Sequence, residues 1–348
     1  MRMRTALASV SAGLAAITCL TTVQAEAAQE GVAHACSSSV SIDGFSDALD
    51  KTTFDGTFVG NLSALAVDTD GRIAALSDRS SLFSLDAKTH QPVGVVQLAD
   101  ETGAALDSEA LVVDRDGTRL ITDETTPAIR RYDRSGTIIG RLPVPAPLLV
   151  APAGRATKNL TFEGLTLQPG GRALIASMEG ALSGDSSDIV RFQTWRRHGS
   201  GQDFRLSEQY GYRVDTGLGV SEITATGDGR LLVLERGYTS GVGNTVRLYL
   251  ADPARATDTS GTENLTGQDG IRLVGKTLLA DIGDCPSLGA TAKQPQPNPL
   301  LDNIEGLAVT GHTPGGGLRL LLVSDDNQNA VQITRLYSLT ARLPRRLP

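Results

Sequence analysis

Aromatic side chains are scarce in this chain, 4 % of 348 residues with a single Trp. Its core must therefore be aliphatic, and with 38 Gly and 40 % hydrophobic residues the profile suits a turn-rich β-protein folding as one domain. Histidine is rarer still: His34, His90, His198 and His312 stand alone, without the spacing of a zinc centre. No G-x-S-x-G elbow is present, since GVSEI at 219–223 lacks the closing glycine; no Cys lies inside the repeated motifs described below, and a His, His312, in just one of them. These absences argue against a Ser or Cys triad. No basic patch with interleaved aromatics occurs, and the net charge is −7, so a nucleic-acid partner is not expected. Nor does any segment after the N-terminus keep a helical period for three turns, which removes the crossovers a parallel sheet needs.

The N-terminus reads as a cleaved signal peptide, residues 1–27. Arg2 and Arg4 precede a short apolar run, Ala6–Leu20, and small-residue cleavage sites follow at 23–27. The run is too short for a comfortable membrane span, and none of that length follows it. Ala16-Ile17-Thr18 before Cys19 matches a lipid-attachment box poorly, so secretion is the expectation, with no membrane association after cleavage. Cutting after Ala27 removes Arg2, Arg4 and Glu26 and moves the net charge from −7 to −8. Two cysteines remain, Cys36 and Cys285, and an exported compartment favours a disulfide between them over two free thiols.

What the chain has in plenty is one repeated phrase: an apolar strand, a Gly-bearing turn, a second apolar strand and a polar break. It occurs at 63–79, 109–124, 163–180, 222–237 and 305–326. Short aliphatic strands joined by DG or GG turns are antiparallel hairpins, and a spacing of roughly 40–60 residues suits propeller blades. The fold class is therefore all-β, a β-propeller. The five copies and a weaker unit at Ile271–Ile282 suggest six blades, with five or seven as alternatives. The expected layout is a lead-in over 28–44, one propeller domain over 45–340 and a tail over 341–348. The Pro-rich stretch 142–154 and the polar insertions 252–269 and 287–303 read as loops on one face of the ring, where function is commonly carried.

Each phrase also carries acids. Glu109, Glu163, Glu222 and Glu305 open the first strand, with Ser63 in that place in the first copy. The second strands close on Asp78, Asp123-Glu124, Glu179, Glu235 and Asp325-Asp326; the choice within the two pairs stays open. Residues recurring at one register of an inner strand recur around the channel, and so many carboxylates cannot all ionise without a cation among them. A set of hard oxygen ligands suits Ca²⁺, or Mg²⁺, better than a thiophilic metal. Each acid taken alone equally suits turn capping or locking one blade to the next. Arg79 and Arg236 follow two of the acids and suit anchoring an anion or pairing with a neighbouring blade.

The ordered segments GNLSALAVDTDGRIAALSDRS, LDSEALVVDRDGTRLITDE, NLTFEGLTLQPGGRALIASMEG, VSEITATGDGRLLVLERGY and NIEGLAVTGHTPGGGLRLLLVSDDNQN resemble the successive motifs of the phytase-like (esterase-like activity of phytase) domain family. The resemblance runs from about Phe45 to Leu339 and implies a secreted bacterial β-propeller acting on phosphate or ester bonds. It matches the family's recurrent acids to Asp78, Glu109, Glu124, Glu163, Glu179, Glu222, Glu235, Glu305 and Asp325, the candidate metal ligands. The expected function is a secreted, calcium-assisted hydrolase of phosphomonoesters or small esters, in which a metal-activated water attacks with a nearby Glu as base. Glu163, Glu179 and Glu305 are the candidate catalytic residues, and Arg79 and Arg236 the substrate anchors. The alternative is a monomeric, non-catalytic propeller that binds a carbohydrate, peptide or envelope component, with any Ca²⁺ purely structural. A sugar-ring or lactone enzyme on the same ring ranks below both.

Overall fold

The computed structural model describes residues 34–198, 203–268 and 270–345; the expected signal peptide lies outside them. Twenty-two strands form five four-stranded antiparallel sheets and one small hairpin, and among the described residues the only helical pieces are three short 3-10 turns. Strand β1 (Val40–Ser46) and the hairpin β2 (Thr52–Phe54)–β3 (Thr57–Val59) come first. Blade one is β4 (Leu62–Val67), β5 (Ile73–Ser77), β6 (Ser81–Leu85) and β7 (Pro92–Gln97). Blade two is β8 (Leu111–Val113), β9 (Arg119–Asp123), β10 (Ala128–Tyr132) and β11 (Ile138–Leu142). Blade three is β12 (Phe162–Leu167), β13 (Ala173–Met178), β14 (Ile189–Arg196) and β15 (Arg205–Arg213). Blade four is β16 (Gly219–Ala225), β17 (Leu231–Thr239), β18 (Gly243–Asp252) and β19 (Gly275–Asp281). Blade five is β20 (Asn303–His312), β21 (Leu318–Asp325) and β22 (Leu336–Ala341), completed by β1.

The ring thus has five blades, not six. The segment Ile271–Ile282 is no blade of its own: most of it is β19, the outermost strand of blade four. The ring closes where β1 pairs with β22, from Val40↔Ala341 to Ser46↔Leu336, so both ends of the chain build the last blade. Closure of this kind leaves only short edges open to stray pairing. A disulfide joins Cys36, ahead of β1, to Cys285, just after β19, and so ties blade five's outer strand to blade four.

Alternation of the strands sends aliphatic residues to both faces of every blade. The core consequently divides into five clusters, one at each junction between neighbouring blades. Trp195, the sole tryptophan, is wholly buried in the cluster between blades two and three, where its indole N–H donates to Pro143 O at 2.7 Å. The turns between first and second strands need left-handed backbone, which the glycines of the DG pairs supply at Gly71 (φ +84) and Gly117 (φ +79).

Candidate functional site

Four innermost strands share a β-bulge near their start: between Leu62 and Ala64, Phe162 and Gly164, Val220 and Glu222, and Ile304 and Gly306. The residue set aside by each bulge is Ser63, Glu163, Ser221 or Glu305. In blade two, bonds from Ala110 N to Thr122 Oγ1 (2.8 Å) and from Thr122 N to Ala110 O (3.1 Å) bring Glu109 to the same place. A bulge re-aims a side chain, and here it supplies one inner tier of the site: Ser63, Glu109, Glu163, Ser221 and Glu305. In blades three and five the next position must stay small. A Cβ on Gly164 would sit 2.7 Å from Ile223 N, and one on Gly306 3.1 Å from the Ala64 Cα.

A second tier stands at the ends of the second strands. Asp78 N donates to Asn61 O (2.9 Å), Glu124 N to Asp107 O (2.8 Å) and Glu179 N to Thr161 O (2.7 Å), while Arg236 pairs with Gly219 and Asp325 with Asn303. These pairs put Asp78, Glu124, Glu179, Arg236 and Asp325 at one register. Asp107, two residues ahead of Glu109 of the inner tier, joins them. Eight carboxyl groups (Asp78, Asp107, Glu109, Glu124, Glu163, Glu179, Glu305 and Asp325) and one guanidinium therefore occupy this end of the ring. Carboxylate oxygens of Asp107, Glu109 and Glu124 lie within 4.8 Å of one another, and so do those of Glu124, Glu163 and Glu179. Glu124 belongs to both groups. Below the ring the inner strands enclose a channel of about 230 Å³ walled mainly by aliphatic residues such as Leu65, Leu111, Leu165 and Leu307.

Burial, then mutual repulsion, decides the proton balance. Burial pushes the Glu109 and Glu163 carboxyls well above their ordinary range, and neighbouring acids add to it. Glu124 rises to about 7, although Thr161 N–H donates to it at 3.1 Å. Glu179 also reaches about 7 against the pull of Arg236, and Asp78 about 6 against that of Arg79. Burial and Glu305 raise Asp325. Arg236 lies 3.1 Å from Glu305 Oε1 and 3.8 Å from Glu179 Oε1; burial opposes its charge, but Glu305, Glu179, Glu163 and Asp325 outweigh it. Glu305 also accepts from Asn303 Nδ2 at 2.8 Å.

Of the sequence-predicted residues, the structure gathers Asp78, Glu109, Glu124, Glu163, Glu179, Glu305, Asp325 and Arg236. Two it does not. Glu222 follows the bulge, so its side chain leaves the ring; it accepts from Ile223 N (2.8 Å) and Leu165 N (3.2 Å) in the channel wall. Glu235 faces blade three instead, accepting from Tyr212 Oη (2.6 Å), Lys276 Nζ (2.6 Å) and Asp215 N (2.8 Å). Arg79 is 66 % exposed beside Asp78, 3.5 Å away, at the rim. The open choices also resolve. Asp123 pairs with Arg130 at 2.8 Å, and Asp326 accepts from Asn61 N at 3.0 Å and pairs with Lys51, which leaves Glu124 and Asp325 to the ring. Sequence reasoning missed Asp107. It also missed that Ser221 and Arg236 hold blade four's ring positions, although aligning VSEI with LSAL of blade one gives that register.

Among curated proteins, none matches the chain. Several solved structures are similar at a distance. Glutaminyl cyclase of Myxococcus xanthus is 12 % identical over 88 % of this chain and 97 % of its own, with a TM-score of 0.44. A gluconolactonase of Xanthomonas campestris is 15 % identical over 83 % of this chain and 74 % of its own, at 0.42. The PQQ-bound aldose sugar dehydrogenase of Streptomyces coelicolor is 14 % identical over 89 % of this chain and all 100 % of its own, at 0.43. At such distance these likenesses say nothing of chemistry. The family match is of another order: residues 57–328 fit the model of the Phytase-like family, esterase-like activity of phytase, and the chain belongs to that family.

Proposed function

We propose that the protein is a secreted, calcium-assisted hydrolase of phosphomonoesters or small esters. One observation carries the reading: eight carboxyl groups share one end of the ring with a single buried arginine, and five of them form two oxygen triads joined at Glu124. The donor set fits a hard cation. It is all oxygen, and Asp78 Oδ1 is buried with no hydrogen bond, its nearest cation being Arg79 Nε at 3.5 Å. Asp107, Glu109 and Glu124 would hold one ion, and Glu124, Glu163 and Glu179 a second. Calcium bound there would supply the positive charge that an anionic ester and the carboxylates both require.

The remaining roles belong to the chain itself. Arg236, fixed between Glu179 and Glu305, orients an anionic group at the mouth, with Arg79 at the rim as a second anchor. Glu305 keeps Arg236 in place. Glu163 and Glu179, whose carboxyls are pushed up by burial, are placed to take a proton at a carboxylate oxygen. Export is supported by the signal-like N-terminus and by the disulfide.

A second reading has its own support. Glu109, Glu124 and Glu163 are only 8 %, 4 % and 6 % exposed, the burial expected of a closed, structural cation site in a binding propeller. Calcium titration of EDTA-stripped protein separates the two, followed by melting and by hydrolysis of p-nitrophenyl phosphate and acetate. The hydrolase reading expects calcium-dependent turnover that Glu163→Gln lowers at least 100-fold without unfolding. Stabilisation by calcium with no turnover would leave the binding propeller.

A further inference from the structure

Blade four carries an arm that the other blades lack. Pairing between second and third strands ends at Leu76↔Leu82, Ser177↔Phe192 and Val323↔Leu336 in blades one, three and five, and at Asp123↔Ala128 in blade two. Leu76, Ser177 and Val323 correspond to Leu234. In blade four the ladder runs on from Leu234↔Leu248 through Arg236↔Val246 and Tyr238↔Asn244 to Thr239↔Gly243. Five further residues at strand rise add roughly 17 Å beyond the point where those three blades stop. The arm is braced on both sides. A Cβ on Gly237 would sit 2.5 Å from Gly217 O, one on Gly243 2.6 Å from Pro295 O, and Asn244 N donates to Gln296 Oε1 at 2.8 Å.

Alternate residues of a strand share a face, so Tyr238 lies on the face of Arg236, one pleat farther out. Arg236 reaches Glu305 and Glu179 in the ring, which places Tyr238 above the same mouth. In a chain so poor in aromatics, Tyr238 is the one Phe, Tyr or Trp side chain that is exposed among the described residues, at 55 %. Val242, at the tip of the arm, is also exposed. An aromatic carried on a braced strand beside a charged mouth presents a stacking surface, with only its two side-chain torsions to be fixed on binding.

We propose that Tyr238 is a specificity-determining platform, and that the preferred substrate is a phosphomonoester of an aromatic ring: the ring lies against Tyr238 while the phosphate enters beside Arg236. The inference deepens the hydrolase reading and rests on it. Titration calorimetry with phenyl phosphate and methyl phosphate, in calcium, tests it on the full protein and on Tyr238→Ala and Tyr238→Phe. Phenyl phosphate is expected to bind about fivefold more tightly than methyl phosphate. Tyr238→Ala should abolish that preference and leave methyl phosphate unchanged, and Tyr238→Phe should keep it. Equal binding of the two phosphates, or a preference that survives Tyr238→Ala, would overturn the platform and leave the hydrolase reading standing. Calcium binding with neither phosphate bound would overturn the platform and the phosphomonoester arm of the hydrolase reading, leaving small esters as its substrates.

Discussion

At the second-tier register blades one, two, three and five carry Asp78, Glu124, Glu179 and Asp325; in blade four it is Arg236. The same blade has Ser221 where three others put Glu109, Glu163 and Glu305. The backbone plan is shared, bulge included, yet the charge is reversed. A five-fold array of like charges about one axis is self-repelling, and one blade of opposite sign relieves part of it. Because that cation answers only two acids closely, Glu305 and Glu179, the far side of the ring around Asp107, Glu109 and Glu124 keeps its excess. The asymmetry gives the site a direction: anion-seeking at blade four, cation-seeking across from it.

Making blade four like the rest should have the largest effect. Arg236→Glu removes the buried cation and adds an acid, so in EDTA the variant should lose about 3–5 kcal/mol of unfolding free energy by urea titration. Calcium should restore more of that loss than it adds to the parent protein. A variant as stable as the parent in EDTA would mean that the ring's acids are already neutral and need no counter-charge.

The pH response should be next in size. Glu124 and Glu179 titrate near 7 in the folded chain against an ordinary 4.5, and Asp78 near 6 against 3.8. Between those limits the folded chain holds protons that the unfolded chain has released, so stability falls as pH rises. Without calcium, the fall from pH 4.5 to 7.5 should amount to roughly 3 kcal/mol for each of the two glutamates, read from melts across that range on the parent protein and on Glu124→Gln and Glu179→Gln. Saturating calcium should flatten the curve, because the bound ion replaces the protons. The smallest effect belongs to Glu235→Gln. It should cost about 2 kcal/mol through its bonds to Lys276 and Asp215 N, with calcium affinity unchanged, since Glu235 faces away from the ring.

Blade four also marks the limit of what the sequence discloses. The propeller was legible because a hairpin signature, two aliphatic stretches about a DG turn, repeats with its apolar residues in phase. Most of the ring was legible for the same reason: Glu163 and Glu305 each precede a Gly-Leu, and Glu109 an Ala-Leu. In GVSEITA a glutamate stands one place later, in the position of Gly164 and Gly306, and reading it as the repeated acid shifts the strand by one. A shift of one residue exchanges the two faces of a strand, so both Glu222 and Glu235 were assigned to the wrong side. Asp107 escaped for a different reason. Its counterparts are Asn61, Thr161, Gly219 and Asn303, and an acid that occurs once leaves no periodic trace. Six blades came out ahead of five, the alternative the structure has, because a polar loop and β19 together imitate a hairpin.

The disulfide has a consequence for the chain as a piece of topology. It joins residues 249 apart, and blades one to four lie entirely within the span from Cys36 to Cys285. A peptidase cutting once at any loop in that span would open a covalent circle without freeing a fragment. The two new ends would stay attached through sulfur, and the blade clusters on either side of the cut would remain in place to hold the nicked ring shut.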